Sequence, residues 1–153
     1  MNFNSFSVRC CFVTKQDRSK KLSAPSSSLK PCPDVTYPLD GSKLLTITGK
    51  LRETAYEIFF EEDNDHLCLS TMILDAISKV DVDSRVLLTE NILLIGGTTM
   101  APGFKARLRD ELYKQLKNER YGKFKNIKAF KFHTAPSKEN YTAWLGGMYK
   151  LRF

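Results

Sequence analysis

The stretch NILLIGGTTMAPG, residues 91–103, decides how the rest of the chain is read. Ile92, Leu93, Leu94 and Ile95 form an unbroken apolar run, the pattern of a strand buried on both faces. Gly96 and Gly97 end it and, lacking a Cβ, let backbone or ligand approach closely. Thr98 and Thr99 bring hydroxyls to the turn. Ala101-Pro102-Gly103 then opens a helix, with proline tolerated in the first turn. Strand, glycine turn and helix start in this order make the kind of loop that α/β proteins set against phosphates or sugars. The same grammar also describes a tight strand-to-helix connection that holds no ligand.

Downstream, Phe104, Leu108, Leu112 and Leu116 fall at i, i+4, i+8 and i+12 and predict an amphipathic helix with a basic outer face. Ile127–Thr134 alternates as a strand, with Phe130 and Phe132 on one side. His133 has no carboxylate or cysteine partner by spacing and reads as structural. Tyr141–Phe153 reads as a last helix whose Trp144 and Leu145 join a core with Phe104, Leu108 and Leu112. Gly146 and Gly147 each cost a helix interior about 1 kcal/mol relative to alanine, so something is expected to approach them closely. The apolar pattern runs to Phe153 without a cap, as in a chain cut short.

Upstream, Val8–Val13 is a short apolar segment, a strand or a helix end. Lys15–Asp34 is rich in Ser, Lys and Pro, has no apolar period, and reads as a linker or surface loop. Tyr37–Gly41 is a turn built on Asp-Gly, followed by a strand at Leu44–Thr48 that Gly49 breaks. Leu51, Ala55, Ile58 and Phe59 stand at helical spacing. Glu61–Asp65 is a solvated acidic loop without the glycine and distal glutamate of a calcium loop. Ser70 is the expected N-cap of a helix that buries Ile73, Ala76, Ile77 and Val80. Asp81 and Asp83 are spaced as a carboxylate pair for metal or acid–base work, but one of them more simply starts the next helix.

The 153 residues suit one domain, and no run of about 18 apolar residues predicts a membrane span. The first residues lack the basic and small-residue features of a signal peptide. Cys10, Cys11, Cys32 and Cys68 match no metal spacing and read as reduced thiols. The net charge of +7 is uneven: residues 1–33 carry six basic side chains against one acid, 34–102 five against twelve, and 103–153 thirteen against four. Such asymmetry suits a nucleic-acid or acidic-protein partner. The interleaving of Arg107, Arg109, Lys114, Lys117, Lys123 and Lys125 with Glu111 and Glu119 favours a solvated face and a protein assembly over nucleic acid.

The segments GGTTMAPG (96–103) and NYTAWLGG (140–147) resemble the C-terminal part of actin and the actin-related proteins. So do YPLDG (37–41) before LLTIT, KVDVDSRVLLTENILLIGGTTMAPGF (79–104), FHTAPSKENYTAWLGG (132–147) and RCCFVT (9–14). The resemblance covers nearly the whole chain except the 15–34 stretch. It implies an α/β fold of the actin/Hsp70 ATPase type, of which this chain holds a truncated C-terminal lobe: 1–14 starts the actin-like region, 15–36 is an insert, and 37–153 is an incomplete α/β lobe. In that family the loop of Gly96, Gly97 and Thr98 packs on the nucleotide, with Met100 beside the purine and Asn140 near the base. Ala101 stands where actin has a tyrosine and Asn140 where it has a lysine, which weakens the adenine contacts. The Asp/Gly-rich phosphate hairpins and the residues that place metal and attacking water have no match here and are expected upstream of Met1. The resemblance therefore implies no catalysis, no metal and no cofactor for this stretch, with ATP left to a longer protein. The insert, FFEEDND and HTAPSKEN look most like the pointed-end actin-related type of dynactin. That implies a cytoplasmic, cytoskeletal structural subunit whose partners are dynactin subunits, the filament-forming actin-related protein among them, with no membrane or nucleic acid. An actin-type ATPase and a nuclear actin-related protein of a chromatin-remodelling complex are the alternatives.

Overall fold

The computed structural model describes residues 3–24, 28–124 and 126–150. The expected end of the last helix, 151–153, and Lys125 of the basic segment lie outside the described residues.

Helix α1 (Phe3–Cys10) leads into residues 11–15, which lie along the central loop: the Val13 N–H donates to the Pro102 carbonyl at 2.8 Å. The expectation of a linker at 15–34 is corrected at once by α2 (Gln16–Ser23), which buries Ser19 and Leu22. One leucine, the Arg18–Glu53 ion pair and a hydrogen bond from Gln16 to Glu111 hold this helix, so its sequence shows no apolar period to read.

Strands β1 (Val35–Asp40) and β2 (Lys43–Ile47) form an antiparallel hairpin, with Val35 opposite Ile47 and the turn at Gly41. Helix α3 (Gly49–Thr54) follows, capped by the Thr48 hydroxyl, which accepts from the Leu51 N–H. A single 3-10 turn, Glu57–Phe59, continues it. The apolar spacing read there points the other way from expectation: Glu53, Tyr56 and Glu57 are buried, while Leu51 and Ile58 face solvent.

Helix α4 (Leu69–Ser78) starts two residues earlier than a Ser70 cap requires. Cys68 is its N-cap, its N–H donating to the Thr71 hydroxyl at 2.8 Å, and Ser70 is buried inside the first turn. The buried face is accordingly Ser70, Thr71, Leu74 and Ile77, with Ala76 outside. Asp81 stands at the N-cap of α5 (Val82–Glu90), its backbone carbonyl accepting from Ser84 while its side chain makes no cap bond.

Strand β3 (Ile92–Leu93) pairs in parallel with β4 (Phe132–His133), Ile92 opposite Phe132. The expected burial on both faces does not hold. Ile92 and Leu94 pack on the core, whereas Leu93 and Ile95 are about half exposed, at 49% and 48%. Successive strand side chains point to opposite faces, and the described residues place a layer on only one of them.

Helix α6 (Phe104–Gln115) is the centre of the core, as its period predicts. Phe104, Leu108 and Leu112 are buried against α4, Cys11, Val13 and the aromatic side chains of Tyr121, Phe124 and Phe130. Helix α7 (Thr142–Lys150) carries Trp144 outside this core, 64% exposed. A Cβ at Gly146 or Gly147 meets no described atom within 4 Å, so the close neighbour expected there is not supplied by the described residues.

Candidate functional site

Gly96 sits at φ 104°, ψ 155°, a conformation open to glycine and closed to side-chain-bearing residues. Its N–H donates to the Glu139 carbonyl at 2.8 Å, and its own carbonyl accepts from the Thr99 hydroxyl at 2.8 Å. Gly97–Met100 then forms a 3-10 turn, with the Ala101 N–H returning to the Thr98 carbonyl. The loop is thus closed largely by its own backbone.

The bond to Glu139 places the loop beside Asn140, so two segments some forty residues apart in sequence meet, as the resemblance implies. Gly97, Thr98 and Met100 are half-buried, and Gly96 and Asn140 are exposed. Lys105, in the first turn of α6, donates to Glu139 Oε1 at 2.8 Å and holds that carboxyl below the usual carboxylate range. Clefts open elsewhere: one of about 580 Å³ between 30–34 and 48–50, another of about 290 Å³ between α2 and α6.

Beneath the loop lies a cluster that sequence reasoning placed on a solvated face. Arg107 is buried and donates through Nε to Glu111 (2.8 Å), through Nη1 to the Thr14 carbonyl (2.8 Å) and through both terminal nitrogens to Glu57 (3.0 Å each). Its guanidinium also lies over the Phe60 ring, 4.8 Å from the centroid. Burial pushes its pKa down, but the bonds to Glu57 and Glu111 outweigh this and leave it raised, so the charge is permanent. A guanidinium so fully paired is a tie between α6, the 3-10 turn and the N-terminal segment, not a free binding group. The signal was there in part: Arg107 and Glu111 are four apart and fall within the buried arc of Phe104, Leu108 and Leu112.

A second tie fixes the insert. Arg18 forks onto the fully buried carboxylate of Glu53, with Nη2 to Oε1 at 2.9 Å, and Glu53 also accepts from the Cys32 N–H at 2.6 Å. Arg18 holds the Glu53 carboxyl below its ordinary value. Next to it, Arg52 Nε donates to the Cys10 carbonyl at 2.7 Å. Burial pushes the thiols of Cys11 and Cys32 up, which keeps them protonated. Among the described residues no group of His, Cys, Asp and Glu is arranged to hold a metal, and no helix is long and apolar enough to cross a membrane.

The Actin family model matches residues 3–149. The chain is 42% identical over 162 residues to Actin-related protein 10 of Dictyostelium discoideum, covering 92% of this chain and 33% of that protein. It is 31% identical to an Actin-like protein of Neurospora crassa, over 89% of this chain and 34% of the relative. It is 32% identical to Actin-related protein 2 of Acanthamoeba castellanii, over 72% and 30%. The chain spans about a third of the length of these curated relatives. With a parallel strand pair, a closed glycine loop and the helix behind it all inside the matched residues, this chain belongs to the actin family and carries part of the actin fold.

Proposed function

We propose that this chain is part of a structural, non-catalytic subunit of dynactin. It caps the pointed end of the actin-related filament and supports dynein-driven transport along microtubules in the cytoplasm. The observation that carries this reading is the graded likeness: 42% identity to Actin-related protein 10 against 31% and 32% to the Actin-like protein and to Actin-related protein 2. The insert, FFEEDND and HTAPSKEN point to the same subgroup by resemblance.

The loop chemistry supports assembly over turnover. Gly96, Gly97, Thr98, Met100 and Asn140 offer a surface beside a purine base, but they do not make a phosphate clamp. The Gly96 N–H is engaged by Glu139, and Lys105, the cation closest in sequence, is tied to the same residue. Phosphoryl transfer depends on cations and amides aimed at the phosphates. Glu139, held ionised by Lys105, is tuned away from proton-transfer work near neutral pH.

Affinity purification of the tagged protein from cell extract tests this. Recovery of dynactin subunits, with the filament-forming actin-related protein among them, is the expected result. Recovery of chromatin-remodelling subunits instead, or filaments formed by the purified protein with ATP alone, overturns it.

A further inference from the structure

Leu51, Ala55, Ile58 and Phe59 lie at i, i+4, i+7 and i+8 along α3 and the 3-10 turn, one side of a helical path. A helix of a lone domain turns such a side inward. Here the order is reversed: Leu51 is 50% and Ile58 74% exposed, while Glu53 and Glu57 are buried. The reversal is not a loose packing error, because each buried carboxylate has its own arginine, Arg18 for Glu53 and Arg107 for Glu57. Leu51 and Ile58 are therefore held outward by two ion pairs, while Phe59 at the end of the stripe packs edge-on against Phe104, 6.0 Å between ring centroids. An apolar stripe fixed at the surface marks a contact with something else.

The stripe runs at its C-terminal end into Glu61, Glu62, Asp63 and Asp65, all exposed. Asp63 Oδ1 accepts the N–H groups of Asp65 (2.9 Å) and Leu67 (2.8 Å), which sets the shape of this acidic rim. We propose that the stripe and its rim form a docking surface for a helical segment of another protein, apolar where it meets Ile58 and Leu51 and rich in Lys or Arg where it crosses residues 61–65. Charge complementarity selects that occupant. The inference deepens the assembly reading above and rests on it for the identity of the complex, not for the chemistry of the surface.

The test uses the full chain and an amphipathic leucine–lysine peptide, with the leucine–glutamate peptide of the same pattern as comparison. Fluorescence anisotropy is expected to show binding of the first peptide only. Ile58→Ser should weaken it about tenfold or more, the loss typical of a central apolar anchor. Glu61→Lys with Glu62→Lys should remove its salt dependence. Thermal unfolding checks that Ile58→Ser is folded. Unchanged affinity for Ile58→Ser, or equal binding of both peptides, overturns the proposal. In cells, wild type that recovers dynactin while Ile58→Ser does not supports it. Equal recovery by both sinks the docking surface and leaves the dynactin reading standing. If wild type recovers no dynactin, that reading fails and the peptide titration alone decides the surface.

Discussion

Arg107 and Glu57 meet in a two-pronged ion pair, both bonds 3.0 Å long, across fifty residues of sequence. Both side chains are nearly inaccessible, at 4% and 8% exposure. Removing the arginine leaves the buried carboxylate of Glu57 without its cation and Glu111 with only Lys114, 3.9 Å away. Arg107→Met should therefore cost about 3–5 kcal/mol of unfolding free energy, read from urea denaturation. Arg107→Lys should recover only part of it, because an ammonium cannot fork onto Glu57. Near-wild-type stability of Arg107→Met would mean the cluster contributes little.

Gly103, at the end of the central loop, has no room for a side chain. Its φ is 86°, and a Cβ there lies 2.4 Å from the Val13 carbonyl oxygen. Gly103→Ala should destabilise by about 1–3 kcal/mol. Gly146→Ala, in the open interior of α7, should stabilise by about 0.5–1 kcal/mol. Paired thermal melts of the two variants check both signs at once.

Acid should loosen the insert. The folded pKa of Glu53 is lowered by Arg18, so its contribution is complete above the unfolded value of about 4.3 and is lost as pH falls through the lowered folded value. Glu139 follows the same rule through Lys105. Limited proteolysis within 16–23 should accelerate below about pH 4 in wild type. Arg18→Ala should show that faster cleavage already at neutral pH. Cleavage of α2 that is independent of both pH and Arg18 would remove the ion pair from the account.

Calorimetric titration of the full chain with ATP should show no saturable micromolar binding and no release of phosphate. The basis is the loop closure, with the Gly96 N–H on Glu139 and Glu139 on Lys105. Tight binding would show that the loop opens to take phosphate. Asn140→Lys should then change affinity through the base, not through turnover.

The central unit was legible because it is local. Strand, glycine turn and helix follow one another in sequence, and the period of Phe104, Leu108 and Leu112 names the core helix directly. What escaped depends on partners far away in the chain. Helix α2 is held by Arg18 on Glu53, a pairing no hydrophobic period records. The inward side of α3 is decided by Arg18 and Arg107, which reverse what Leu51 and Ile58 suggest. The half-exposed Leu93 and Ile95 escaped because an apolar run states a preference for burial, while the described residues place neighbours on one face only. Of the loop residues, Gly96 and the neighbour of Asn140 are joined directly, but that junction was reached by resemblance rather than by spacing.

The bond from Arg107 to the Thr14 carbonyl spans ninety-three residues, and the Val13 amide reaches Pro102 beside it. These contacts close loops of about ninety residues, and they cannot form until α6 has left the ribosome. Closing a long loop costs entropy before any contact repays it, so the N-terminal segment joins late in folding. Until then Cys11 and Val13 have no core to enter. Residues 11–14 therefore stay unpaired with Pro102 and Arg107 until α6 has been made, a stretch that a chaperone would have to hold.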